Sequence, residues 1–317
     1  MRANQASPPA GAAVKDSRME EHLVFMLQLI ITGIAVGGVY SLMALGFVLI
    51  FKASSVVNFG PGELVLFGAY VSWATILSMR LPLYVALPLT LLTAIALGLV
   101  IERGVLRPLI GQPIISVIMV TFGVASVIRG FLNMTWGSDT RPFPVLFSPE
   151  PFHLGPIPVS PVHLWSFVVV LALLAGFWVF FRFSTTGMAM RATADNQQVA
   201  LSLGVSVKWI FALSWCIATV VSTLGGIILG SVRGGVDFSL ADLGLKVFPV
   251  VILGGLDSVP GAIVGGVLIG VLENLSGGYL DPIMGGGVKE VAPFVALVII
   301  LMLRPYGFFG KVEIERV

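Results

Sequence analysis

Charge is what this sequence has least of. Asp, Glu, Lys and Arg make up 11% of its 317 residues, against about 25% in ordinary soluble proteins. Hydrophobic residues reach 57% and the mean hydropathy is +1.01. A soluble fold cannot hide that much apolar surface, so the chain reads as an all-α integral membrane protein. One cysteine, Cys216, excludes an internal disulfide; its apolar surroundings mark a buried, inert thiol. The three histidines, His22, His153 and His163, are scattered, so no metal site is indicated. No Ser/His/Asp arrangement suggests hydrolysis, so no catalytic residue is assigned and no cofactor is implied. No row of acids, histidines or arginines crosses the apolar runs, as a proton relay or voltage sensor requires. No basic stripe exists, which excludes nucleic acid as a partner. The longest polar segments are under 30 residues, too short for a nucleotide-binding domain, and no GxxxxGK[ST] phosphate loop occurs. If this protein uses ATP, another chain binds it.

What is present is a series of apolar runs. Residues 1–21 are polar, small and Pro/Gly-rich and read as a disordered tail. Residues 22–304 form the membrane domain, and 305–317 a short cytoplasmic tail. Leu23–Phe51 carries no charge over 29 residues; with Gly33, Gly37 and Gly38 it could tilt, kink or break. Val56–Met79, Leu81–Ile101, Pro113–Ile128, Val162–Phe181 and Trp209–Val232 follow. Val247–Leu256, Val259–Leu272 and Val291–Leu303 are short, so tilt, re-entry or burial is expected there. The total is about 8–9 transmembrane or re-entrant segments. Arg103 and Arg107, then Arg182, Arg191 and Lys208, then Arg304, Lys311 and Arg316 mark three cytoplasmic stretches. Residues 135–161, with one basic residue and many prolines, face outward.

Small-xxx-small patterns recur at Gly33/Gly37, Gly226/Gly230, Gly261/Gly265 and Gly266/Gly270. They permit close helix approach, either within the chain or against a similar subunit. Two segments break the helical pattern. In the first, Asn58, Phe59, Gly60, Pro61, Gly62 and Glu63 interrupt an apolar run. Pro61 suits a first helical position, and Glu63 suits the positive end of the helix dipole. Unwound backbone at membrane depth is tolerated where protein buries it or where it lines a cavity, and transport sites are often built from it. The second break, with Gly254, Gly255, Asp257 and Ser258 before Pro260, has the same grammar. It hints at two related halves, and both breaks are assigned to a substrate pathway. Arg129, Lys246 and Glu273 end apolar runs, where long side chains snorkel to the interface.

The third polar feature is RATADNQQVALSLGV (191–205). As a helix over 191–204 it is short, amphipathic and cytoplasmic. It lacks the Trp, Phe or Lys-rich face that binds lipid, so it suits a groove on a partner protein.

These motifs together resemble the permease subunits of branched-chain amino acid ABC transporters of the LivH type. The resemblance rests on GVYSLMALGFVLIFKASSVVNFGPGELVLFGAY (38–70), RATADNQQVALSLGV and LGGLDSVPGAIVGGVLIGVLEN (253–274), in the family's order. It implies a multi-pass protein of the bacterial inner membrane. Its implied partners are a second homologous permease, two cytoplasmic ATP-binding subunits and a periplasmic substrate-binding protein. It implies ATPase coupling through Arg191, Ala194, Asp195, Asn196, Ala200, Leu203 and Gly204. The family's NFAHGE-type break reads NFGPGE here, departing at Gly60 and Pro61. Urea or short amides are therefore alternative substrates. An ion-coupled carrier would instead need intramembrane ion ligands, and a membrane enzyme a catalytic constellation.

Overall fold

The computed structural model describes residues 10–54, 56–110, 112–144, 152–154 and 157–310. Among them, six helices are long and apolar enough to cross a membrane. These are α1 (Ala10–Ser54), α3 (Leu83–Val100, continued by tighter and wider turns to Leu109), α4 (Ile114–Trp136), α5 (Pro161–Phe183), α8 (Val207–Arg233) and α11 (Val259–Tyr279). Shorter helices are α2 (Pro61–Trp73), α6 (Thr185–Asp195), α7 (Gln197–Ser202), α9 (Ser239–Asp242), α10 (Val247–Gly254), α12 (Asp281–Met284) and α13 (Val288–Leu303). Two small antiparallel pairs complete the fold: β1 (Arg141–Pro142) with β4 (Gly235–Val236), and β2 (Phe152–Leu154) with β3 (Ile157–Val159).

Two sequence expectations change. The stretch expected to be disordered over 1–21 is helical from Ala10, in continuity with the first span; residues 1–9 lie outside the described residues. The glycines of that span do not break it, because they are consumed in packing. A Cβ on Gly37 would lie 2.6 Å from the Gly266 carbonyl oxygen, and one on Gly270 would lie 2.4 Å from the Gly37 Cα. Two small-residue motifs from opposite ends of the sequence thus form one seam between α1 and α11. A Cβ on Gly226 would lie 2.2 Å from the Val65 carbonyl oxygen on α2, and Gly261 and Gly265 meet Gly254 and Val250 on α10. The motifs pack within this chain. In an apolar solvent, where burial of oil gains little, this close approach supplies the dispersion contacts that hold helices together.

α1 and α8 are the most enclosed spans, whereas α3, α4 and α5 keep broad apolar faces exposed. The core runs between α1, α2, α8, α10 and α11 through Tyr40, Phe47, Leu66, Tyr70 and Val250. The basic stretches gather at one end: Lys52, Arg182 and Arg191 share a cavity with Phe309 of the tail, and Arg107 shares another with Gln197. At the other end, Arg141 donates to the Trp136 carbonyl at 2.8 Å and stacks over Trp73. Segment 234–254 descends from that end to the basic end as α9, a 3-10 turn and α10. The tail does not hang free: Phe308 and Phe309 donate backbone hydrogen bonds to Leu253 and Gly254. Residues 311–317 lie outside the described residues.

Candidate functional site

The first break lies beside α4, within the span. After α1 ends, Asn58 turns back and its Oδ1 accepts from the Gly60 N–H at 2.9 Å. The Phe59 N–H donates to Thr121 Oγ1 of α4 at 3.3 Å. These bonds satisfy backbone groups that apolar surroundings would otherwise leave unpaired. Pro61 then opens α2 at its first turn, as its fixed φ favours. Glycine is required at position 62 by contact: a Cβ there would lie 2.0 Å from the Ala241 carbonyl oxygen. One turn on, Gly244 abuts the Gly62 backbone in the same way.

Glu63, in the first turn of α2, pairs with Arg129 at 3.1 Å, and Arg129 also reaches Asp242 at 3.6 Å. Arg129 stands 15 residues into α4 and seven before its end, about 22 Å and about 10 Å along the axis. Its side chain is 44% exposed, that of Asp242 68%, and that of Glu63 13%. Arg129, expected to snorkel to the interface, is held by a carboxylate. Beside this cluster Phe59 stacks on Phe122 at 4.4 Å and lies 4.8 Å from Phe248. An aromatic shelf and a three-membered charged group thus share one open face of α2, α4 and the descending segment.

Lys246 and Glu273 also overturn the snorkelling expectation, because they are 3% and 2% exposed. Lys246 Nζ donates to Glu273 Oε1 at 2.9 Å, and the Tyr40 hydroxyl donates to Glu273 Oε2 at 2.8 Å. Lys246 also pairs with Glu290 at 2.8 Å on α13, and Lys289 lies 4.0 Å from Glu273. This network ties α1, α11 and α13 to the 3-10 turn Leu243–Lys246. That turn is the one lying against Gly62.

The second break does not meet the first. Gly255 takes a left-handed φ of +104° after α10. Ser258 caps α11, its Oγ accepting from Gly261 N–H at 3.0 Å. Asp257 and Ser258 line a cavity of about 340 Å³ with Arg191, Ala194, Lys52 and Phe309, at the basic end. The breaks share their grammar because each starts a helix, and they lie apart: the first against Ala241 and Thr121, the second beside Phe309 and Arg191.

The segment 191–204, expected as a single helix, belongs to two. Asn196 sits at φ −158° between α6 and α7, and its Oδ1 accepts from the Gln198 and Val199 N–H groups at 2.9 and 3.0 Å. A helix-capping residue inside the 191–204 window was the signal for this break. Arg191 donates to the Phe181 carbonyl, and Gln197 Nε2 donates to the Ala53 carbonyl at 3.1 Å, fixing the segment to α5 and α1. Ala200 turns inward and is buried. Asp195 and Gly204 are exposed, as are Val199, Leu201 and Leu203. Sequence reasoning missed Asp242, Tyr40, Thr121, Phe122 and Phe248; each is far in sequence from the residue it meets, which is Arg129 for Asp242, Glu273 for Tyr40 and Phe59 for the other three.

Apolar helices around a discontinuous descending segment, with a tethered helical pair at the basic end, define a multi-pass membrane transport protein. Residues 29–303 match the family described as the branched-chain amino acid transport system permease component. The chain belongs to that family, an ABC importer family of transport permeases that act with ATPase and substrate-binding partners. It is 30% identical to the high-affinity branched-chain amino acid transport system permease protein LivH of Salmonella typhimurium, over 94% of this chain and 100% of that one. It is 28% identical to the corresponding permease protein BraD of Pseudomonas aeruginosa, over 92% and 98%. It is 26% identical to a probable LivH of Methanocaldococcus jannaschii, over 85% and 88%.

Proposed function

We propose that the chain is the transmembrane subunit of an ATP-driven importer for branched-chain or other small neutral amino acids in the bacterial inner membrane. The observation that carries the reading is the Glu63–Arg129–Asp242 cluster. It is half open on the chain's own surface, yet lies in a helix whose neighbours are apolar. Charges at that depth do not face lipid; they face protein or water. A second, homologous permease closes this face, and the pathway runs between the two. α2, α10 and α13 complete the 8–9 transmembrane or re-entrant segments. The opposed signs of Arg129 and Glu63 complement an amino acid's carboxylate and ammonium, which favours a zwitterion over urea or a short amide. The aromatic shelf of Phe59, Phe122 and Phe248 offers an apolar side chain its surface.

At the basic end, two ATP-binding subunits dock on α6 and α7. Val199, Leu201, Leu203 and Gly204 make the contact, with Asp195 beside them. Arg191, Asn196 and Ala200 hold the element in shape from behind. Asp257 and Ser258 lie next to this element and belong to coupling rather than to substrate contact. The test is co-purification: the tagged chain should bring down a second permease and the ATPases encoded beside it, and a loaded binding protein should raise their ATP hydrolysis. Transport by the lone chain, without ATP, would establish an ion-coupled carrier instead.

A further inference from the structure

We propose that the groove between α3, α5 and α8 is a binding site for one anionic phospholipid, drawn from the leaflet at the basic end. The groove has a volume of about 620 Å³. Along α8 it runs from Trp209 to Leu224, about 22 Å, longer than the about 15 Å that one leaflet contributes to the hydrocarbon core. An acyl chain can therefore lie full length within it. The walls are aliphatic and aromatic, and among the described residues Arg103 is the one charged residue that lines it.

Arg103 supplies the argument for the occupant. It is exposed at the groove's basic end, and among the described residues no carboxylate or carbonyl holds it. Arg107, one turn on, is by contrast committed to Glu102 through two bonds of 3.0 Å. Trp209 stands at the same mouth and is exposed; tryptophan favours the headgroup level. An unpaired guanidinium, an interfacial indole and a greasy slot behind them match a phosphate headgroup, glycerol and acyl chain in that order. Basic pockets between spans on the cytoplasmic side recognise anionic headgroups in this manner. A helix of a partner subunit would instead bury Arg103 against an apolar surface.

The sole cysteine makes the site testable: Cys216 is half-buried rather than buried as its apolar surroundings suggested, and it lines the groove. The chain, alone and in its full complex, is placed in nanodiscs of phosphatidylcholine with or without phosphatidylglycerol. A lipophilic maleimide is added, and adduct on the Cys216 peptide is followed by mass spectrometry. Phosphatidylglycerol should slow labelling about fivefold, the weight of one cation at an anionic headgroup. Arg103→Gln should abolish that difference, and Arg103→Lys should keep it. Gly176→Phe supplies a second line: its Cβ would meet nothing within 4 Å, and Gly176 lines the groove, so the ring is carried into the slot. It should slow labelling in both lipid compositions. Equal labelling of the wild type in the two compositions overturns the proposal. So does protection that survives Arg103→Gln unchanged, or protection that appears only in the full complex, since a partner helix then covers the groove.

Discussion

Replacing Lys246 by methionine keeps the length of the side chain and removes its charge. Glu273 then remains in a site where it is 2% exposed. Breaking a buried ion pair by removing one member costs about 3–5 kcal/mol, because the other charge stays desolvated. Two features reduce the loss here. The Tyr40 hydroxyl still donates to Glu273 at 2.8 Å. Lys289, 4.0 Å away and 45% exposed, can move in. We therefore expect about 2–3 kcal/mol of destabilisation. The assay is equilibrium unfolding in mixed micelles of increasing dodecyl sulfate content, followed by tryptophan fluorescence. The double change Lys246→Met, Glu273→Gln should recover at least half of the loss, since no buried charge is left unpaired; Glu290, 64% exposed, stays solvated. A single variant as stable as the wild type would refute the reasoning, as would a double variant worse than the sum of its parts. The 3-10 turn that carries Lys246 abuts Gly62, so uptake should fall in the single variant as well.

Further outcomes follow from other parts of the molecule. Leu203→Glu should leave folding intact, because Leu203 is 75% exposed, and should lose the ATPases on purification. Gly204→Trp is a poorer probe of the same surface. Gly204 has φ +84°, so tryptophan there strains the backbone as well as adding bulk. Arg141→Ala, at the opposite end, should keep ATPase binding. Gly37→Leu should cost at least about 3 kcal/mol, visible as lost membrane accumulation, because its Cβ would meet the Gly266 carbonyl oxygen at 2.6 Å. In reconstituted vesicles, leucine uptake should be competed by other small zwitterions and left untouched by a phosphorylated sugar.

Much of this architecture was legible in the sequence, and its limits are physical. Apolar runs read directly as helices, because in lipid the backbone must satisfy itself within the segment. Pro61 and Ser258 signalled helix starts, because they act on their own first turn. The partners of charged groups were hidden. Arg129 meets Glu63 across 66 positions of sequence, a meeting that depends on how α2 and α4 pack. Lys246 and Glu273 looked like ends of apolar runs, yet the descending segment carries Lys246 into the interior. The small-residue motifs showed that helices meet closely; they carried no sign that Gly37 seeks Gly266. Over 191–204 the helical period predicts one helix, but the capping side chain of Asn196 divides it into two and the second ends at Ser202.

The open Glu63–Arg129 face, proposed as the lining of an ATP-driven importer's substrate pathway, can be tested on Glu63 itself. The direct measurement is ATP-dependent uptake of labelled leucine into liposomes carrying the full complex, wild type against Glu63→Gln, with assembly monitored in parallel. Glutamine keeps the hydrogen bond to Arg129 and removes the charge. If Glu63 served only the helix dipole, the change would cost about 0.3–1 kcal/mol of stability and leave transport alone. Assembly and ATPase binding should stay normal, with uptake reduced by about tenfold or more, as the loss of a charged contact worth about 1.5–3 kcal/mol implies. Wild-type uptake by Glu63→Gln would contradict the proposal.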